Sequence, residues 1–211
     1  MKNSKLRRIL LTLACAVLLV SLSVGATLAY LTSKTSEVKN TFTVGKVEIT
    51  LDEAKVDEYG VVDTTATSRV TENTYKLIPG HSYTKDPTVH VSADSEVSWL
   101  FVKIVNEIAA IEDGYNPVDG NPNIYESMVD FGNWSVIDAA NGIYAYGSPV
   151  NPGDNITVFS SFRIKGDANV ADYEGKTITV QAYAVQMDGF STPQAAWAAA
   201  PLTEWTTPAN P

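Results

Sequence analysis

The sequence predicts an all-β protein, an antiparallel two-sheet sandwich preceded by an N-terminal helix and accompanied by short peripheral helices. About eight segments alternate apolar and polar residues, turn-forming Gly, Pro, Asn and Asp residues separate them, and no segment has the periodicity of a substantial amphipathic helix. With 211 residues, of which 45% are hydrophobic and 18% charged, the chain suits one folded domain with a sizeable core.

The N-terminal residues 1–29 have the three parts of a secretory signal peptide. Four basic residues precede an apolar run over residues 9–24, and small residues follow it. We expect cleavage between Ala29 and Tyr30, with Thr27 and Ala29 as the small residues that a signal peptidase recognises. In an uncleaved precursor the same run would be one long helix, and only that form would contact a membrane.

Charge and cysteine content exclude several classes of function. Removing a signal with four basic and no acidic residues changes the formal net charge from −9 to −13, which opposes binding to nucleic acid. The single cysteine, Cys15, lies inside the apolar run, so the mature chain would have neither a disulfide nor a catalytic cysteine. Lipidation of Cys15 is the weaker alternative, because the apolar stretch before it is too short.

The segment after the signal, residues 30–51, changes the phase of its alternation once. Phe42 and Val44 occupy even positions, whereas Val47 and the apolar residues after it occupy odd ones, and Gly45 lies between. A shift of one residue sends the two halves to opposite faces of a sheet unless a break intervenes. We therefore predict two short strands with Gly45 as a hinge, the first of which could leave the body of the protein.

The remaining strands are predicted from alternation and from turn signals. They cover residues 47–51, 75–78, 88–91, 99–108, 134–137, 143–146, 155–164 and 176–187. The segment 99–108 is apolar on both faces, which indicates the centre of a sheet. Asn141 and Gly142 predict a hairpin between the strands that flank them.

Short helical segments are expected between and after these strands. They comprise a turn at 124–129, a bend at 168–173 and a helix over 194–200, which Ser191 or Thr192 caps, Pro193 begins and Pro201 stops. Residues 202–211 are expected to be loose.

The search for catalytic chemistry finds little. A zinc protease typically carries HExxH on a helix, whereas the only histidines, His81 and His90, are outside such a motif. No GxSxG serine motif is present. We expect no cofactor and no enzymatic activity.

Two binding alternatives stay open. The turn-rich segment 112–123 could bind calcium through Asp113 and Asp119, although solvated acidic turns are commoner than sites. Four aromatic residues could form a carbohydrate platform, although core packing explains them as well: Trp99, Trp134, Tyr144 and Tyr146.

Several stretches carry a resemblance to a known family. They are TLAYLTSKTSEVKNTFTVGKVEITL (27–51), LIPGHSYTKDPTVHV (77–91), WLFVKIVNE (99–107) and VQAYAVQMDGF (180–190), of which NTFTVGKVEI (40–49) is the most specific. The chain resembles the TasA/camelysin family, secreted proteins of Gram-positive bacteria that a dedicated signal peptidase processes. The resemblance implies a jelly roll and, as for the best-studied members, extracellular fibres in biofilm matrix.

The leading hypothesis is a secreted structural subunit that assembles by strand exchange with copies of itself, and possible further partners are related matrix proteins. The donor segment 30–44 would use the apolar anchors Tyr30, Leu31, Val38, Phe42 and Val44. It opens a sandwich domain over 30–190, which a short helix and tail over 191–211 follow. The alternatives are a secreted carbohydrate- or surface-binding module and, more weakly, a camelysin-like metalloprotease.

Overall fold

The computed structural model describes residues 3–30, 44–115 and 122–206. It divides into two units, Met1–Thr43 and Val44–Pro211. The described part of the first unit is helix α1, Asn3–Tyr30. Among the residues whose side chains are described, no helix is both long and apolar enough to cross a membrane.

The second unit is mostly β, with antiparallel sheets and a few short helices. Its strands are β1 Ile49–Asp52, β2 Ser82–Thr84, β3 Thr88–Val91, β4 Ser98–Asn106, β5 Trp134–Asp138, β6 Ile143–Tyr146, β7 Asn155–Thr157, β8 Ser161–Arg163 and β9 Ile178–Gln186. The helices are α2 Pro193–Ala199 and α3 Thr203–Thr206, and 3₁₀ turns cover Ala109–Ile111 and Val170–Tyr173.

The described strands form three antiparallel sheets. One sheet has the order β1-β3-β7, the second has the order β5-β6-β4-β9, and a ribbon pairs β2 with β8. Inward side chains of the two larger sheets meet in one core, with Leu100, Val102 and Ile104 of β4 packed in the same cluster as Val89 and Val91 of β3. Burying such a side chain stabilises the fold by about 1.5–3 kcal/mol. This arrangement is compatible with the predicted sandwich.

The strongest sequence signals are confirmed. Strand β4 lies between β6 and β9, and both of its faces are largely buried. The predicted hairpin joins β5 to β6, and Gly142 at its turn has a φ of 65°. A Cβ atom at Gly142 would lie 2.2 Å from the carbonyl oxygen of Ile104, so the turn requires glycine on two grounds.

Two predicted strands are wrong. Residues 155–164 form two strands, because Val158 and Phe159 are both buried and interrupt the alternation. As a result β7 pairs with β3, whereas β8 pairs with β2, a strand that the sequence did not predict. Residues 75–78 form no strand, although Tyr75 and Leu77 pack against the core.

The predicted C-terminal helix is confirmed, whereas the predicted loose tail is wrong for residues 203–206. The Thr192 hydroxyl accepts a hydrogen bond from the Ala195 N–H, 3.2 Å away, and caps α2. Helix α3 then buries Trp205 against the outer face of the four-stranded sheet. The gain from burying a tryptophan outweighs the weak helix propensity of the segment.

Candidate functional site

Strand β9 has one edge that no described strand covers. All nine of its residues pair with β4, from Ser98 opposite Gln186 to Asn106 opposite Ile178. Just beyond the two ends of this pairing, Glu107 N–H donates to the Thr177 carbonyl and Met187 N–H donates to the Val97 carbonyl. Because antiparallel pairs alternate, odd-numbered residues of β9 bond to β4, and even-numbered residues direct their N–H and C=O groups outward.

Strand β1 has a similar edge. Ser92 N–H donates to the Glu48 carbonyl, so even-numbered residues of β1 face β3, while Ile49 and Leu51 direct their backbone groups away. The edge ends at Glu53, which exchanges two backbone hydrogen bonds with Val70. The available edge of β1 is therefore short.

A groove of about 930 Å³ lies between these two edges. Leu51 of β1 lines one side, and Ile178 and Val180 of β9 line the other. Apolar residues that belong to or pack against the core also line it: Tyr75, Leu77, Ile108, Phe162, Val170 and Tyr173. The groove thus gives access to the interior of the sandwich along its open side.

A second, smaller depression of about 370 Å³ is lined by residues 47–49 and 182–184. The beginning of β1 therefore lies beside the end of β9, and the end of β1 beside the beginning of β9. The two edges run antiparallel to each other. Any strand between them would be parallel to one edge and antiparallel to the other.

A buried ion pair supports the wall of the groove. Lys85 Nζ lies 2.6 Å from Glu53 Oε2, and the two side chains are only 10% and 6% exposed. The Lys85 ammonium also lies 5.9 Å from the ring centroid of Tyr75, whose hydroxyl donates to the Thr84 carbonyl. These polar groups satisfy one another. Other charged side chains also line the groove, among them Glu72 and Glu174, so it offers a ligand both apolar and polar surface beside the open strand edges.

The other edges of the two larger sheets are protected. Strand β7 has only three residues, and β5 carries an irregularity between Val136 and Asp138. Short edge strands and bulges both discourage the addition of another strand. Among the described strands of the two larger sheets, β9 therefore has the longest unprotected outer edge, and β1 has a shorter one.

The structure locates the beginning of the predicted hinge. Val44 is 99% exposed and is the first residue of the second unit. A Cβ atom on Gly45 would lie 2.8 Å from the Glu96 carboxylate, and the next residue, Lys46, accepts a hydrogen bond from Glu96 N–H. The chain is therefore bound to the sandwich from Lys46 onward.

The other predicted assembly and cleavage residues are only partly described. The backbones of Ala29 and Tyr30 belong to α1. The anchors Leu31, Val38 and Phe42 lie outside the described residues. Beyond the hinge, the predicted alternation is confirmed, because residues 47, 49 and 51 are half-buried and residues 48 and 50 are exposed.

The two histidines lie in separate places. His81 contacts the Tyr59 carbonyl at 2.9 Å, whereas His90 on β3 contacts Asp52 at 2.8 Å and Asn155 on its other side. Arg69 joins Asp52 to Asp86. Among the described residues, no group of three or more His, Cys, Asp or Glu side chains is arranged to hold a metal ion.

The contacts of His90 predict a pH-dependent contribution to stability. The hydrogen bond to Asp52 raises the pKa of His90 above 6.5, so its contribution is complete below pH 6.5 and is lost as the pH rises through the higher value. Replacing His90 with Gln should therefore lower the free energy of unfolding more at pH 5.5 than at pH 8.5, as urea denaturation measures. An equal loss at both pH values would contradict the assignment, and His81→Gln is the matched control.

The alternative binding sites are not assembled by the described residues. Trp99 belongs to the cluster beneath α2 and α3, whereas Trp134 packs on the opposite face of the sheet against Tyr146, with ring centroids 5.1 Å apart. Both tryptophans are buried, so they form no exposed platform. Of the calcium candidates, Asp113 lies 3.4 Å from Arg163, and Asp119 is outside the described residues.

No family model matches the chain, and neither does any curated protein or solved structure. Functional assignment therefore depends on the geometry of the chain itself. The sequence analysis predicted a donor segment, most of which lies outside the described residues, and it missed the groove and the Glu53–Lys85 pair. The sequence offered one signal for the groove. Over residues 178–184, one face of the predicted strand 176–187 carries only apolar residues, and two of them, Ala182 and Ala184, are small.

Proposed function

We propose that the protein is a secreted structural subunit that assembles into extracellular fibres by strand exchange. Residues 30–44 of one copy would enter the groove between β1 and β9 of the next copy. The observation that carries this proposal is the pair of open strand edges on either side of a groove that core residues partly line. Main-chain hydrogen bonds to the edges would supply affinity, and apolar anchors in the groove would supply specificity.

The donor segment has a suitable length and pattern. In extended form it would span about 50 Å at roughly 3.3 Å per residue, against about 30 Å for β9. Val38, Phe42 and Val44 have the same parity and would point to one face, toward the groove, while Lys39, Thr41 and Thr43 would point to the other.

Insertion along the full groove requires a small displacement of the two edges. Cα atoms of β1 and β9 come within 8 Å of one another. A strand that pairs on both sides needs about 4.8 Å to each neighbour. Where β1 and β9 approach this closely, the two edges would therefore move apart on insertion, or the donor would pair there with one edge alone.

The proposal also includes the jelly-roll topology of the sandwich and the role of α1 as a signal helix. The sandwich would be a jelly roll, and α1 would be the signal helix, removed between Ala29 and Tyr30. Before removal, the membrane-held signal would restrain the donor segment, so that cleavage starts assembly. Since a head-to-tail contact of this kind does not close on itself, it propagates as a fibre.

The test is a chain that begins after cleavage and lacks residues 30–40. We expect a folded monomer that no longer polymerises, because most of the donor strand is absent while the sandwich is intact. Circular dichroism checks the fold, and light scattering with electron microscopy measures assembly.

A synthetic peptide of residues 30–44 provides the matched control. It should bind the truncated protein with one-to-one stoichiometry in titration calorimetry, and a peptide with Arg in place of Phe42 and Val44 should not. Undiminished fibres from the truncated chain would refute the mechanism.

A further inference from the structure

Glu112 is a buried carboxylic acid that the groove does not use. It directly follows the 3₁₀ turn Ala109–Ile111 and forms an isolated antiparallel bridge with Ile164, just after β8. The residue is only 6% exposed. It therefore lies at a junction of the end of β4, this turn and β8.

The hydrogen bonds to Glu112 are incomplete. The Asn106 side chain at the end of β4 and the Ile124 N–H donate to its carboxylate. Among the described residues, no group donates a hydrogen bond to Oε1. A buried carboxylate oxygen without a donor strongly favours the neutral acid, because ionisation would place a charge in a medium that cannot solvate it.

The neighbouring charges do not compensate the carboxylate. Glu126, on the helical turn that spans residues 124–130, acts on Glu112 with a charge of the same sign. On its own segment, Asp113 pairs with Arg163 of β8. Two further charged side chains among the described residues of this end are engaged elsewhere: Lys165 donates to the Ala110 carbonyl, and Glu107 accepts from Thr177 and Lys176.

These surroundings explain the proton affinity of Glu112. Burial raises the pKa of Glu112 from 4.5 to about 7, the bonds from Asn106 and Ile124 offset part of the rise, and the Glu126 charge adds to it. A carboxyl group with a pKa near 7 changes its protonation state when the pH varies around neutrality.

We propose that Glu112 is a proton-operated latch. When it is neutral, it holds the turn over residues 108–112 and the helical turn over residues 124–130 against the end of the sandwich, and when it ionises it releases them. The latch goes beyond fibre assembly and does not depend on it, because every group that it uses lies at this end of one subunit.

The direction of the pH effect follows from the proton affinities of Glu112 in the closed and open states of the latch. The closed state binds the proton more tightly than the open state, so closure is most favourable below pH 4.5. It weakens as the pH rises from 4.5 through about 7 and levels off above that. Between pH 5.5 and pH 8, the ratio of closed to open molecules should fall about 25-fold, from pKa values of 4.5 and about 7.

Amide hydrogen exchange of the full chain tests the latch. The informative N–H groups close the junction: Asp113, which donates to the Arg163 carbonyl, Lys165, which donates to the Ile111 carbonyl, and Ser127, which donates to the Asn123 carbonyl. Their protection factors, corrected for the intrinsic rates, should fall about 25-fold between pH 5.5 and pH 8. Protection of Val102 in the centre of β4 should not fall with them.

Two variants separate the latch from a general loss of stability. Glu112→Gln should make the three protection factors independent of pH, and Glu126→Gln should move their decline to lower pH because it removes the like charge. Unchanged protection of the wild-type junction between pH 5.5 and pH 8, or an equal decline in Glu112→Gln, would overturn the proposal. Should Glu112→Gln fail to fold, a carboxyl ¹³C titration of the wild-type chain decides instead: a midpoint near pH 7 is expected, and one near 4.5 overturns the latch.

Discussion

An Ala182→Pro subunit should fold as the wild type does and should form no fibres. Ala182 lies on β9 opposite Val102, at a position whose N–H points away from β4. Proline there removes no bond of the existing sheet, and edge strands tolerate it. Its ring would occupy the edge to which the donor must bond, so assembly should fall at least a hundredfold by light scattering.

Gln181→Pro is the matched control for this variant. Gln181 pairs with Lys103, and its N–H faces β4. Proline at this position would leave the Lys103 carbonyl without its donor, which costs about 1–3 kcal/mol. Ala182→Pro should thus reduce assembly alone, whereas Gln181→Pro should reduce the stability of the fold. Normal fibres from Ala182→Pro would show that the β9 edge is not used.

Lys85→Met should destabilise the subunit by about 3–5 kcal/mol, because it leaves the Glu53 carboxylate buried without its cation. The side chain of Glu53 is only 6% exposed, so its carboxylate has little contact with water that could replace the ammonium. Urea denaturation measures the loss as a change in the free energy of unfolding. Adding Glu53→Gln to Lys85→Met should restore much of the stability, since no buried charge then remains.

Lys46→Met is the control for Lys85→Met. Lys46 lies 2.8 Å from Glu48, but both side chains are more than half exposed. Exposed ion pairs contribute about 0–1 kcal/mol. Equal losses from Lys85→Met and Lys46→Met would contradict the assignment of a buried pair.

Local patterns in the sequence predicted the elements whose causes are local. Strand β4 is apolar on both faces, and the hairpin depends on Asn141 and Gly142, which follow one another in the chain. The capped helix α2 likewise depends on Thr192 and Pro193 at its start. Each of these signals acts over a few residues and needs no knowledge of the rest of the fold.

Features that depend on distant partners were not predictable in this way. Residues 156, 158, 162 and 164 have one parity and look like a single strand. In the structure, however, the first part pairs with β3 as β7, and the second part pairs with β2 as β8. The groove depends on which strand edges have no neighbour, a property of the topology. His90 depends on Asp52 and Asn155, both far away in sequence.

Under the proposed assembly, the protection of β5 and β7 would determine the architecture of the polymer. Each subunit would then have two valences, one segment to give and one groove to receive. It would behave as a bifunctional monomer, so chains should be linear and unbranched. The Ala182→Pro subunit keeps the segment and loses the groove, which makes it a chain stopper. Mixed with wild-type protein, it should shorten the fibres in inverse proportion to its fraction, without changing their width.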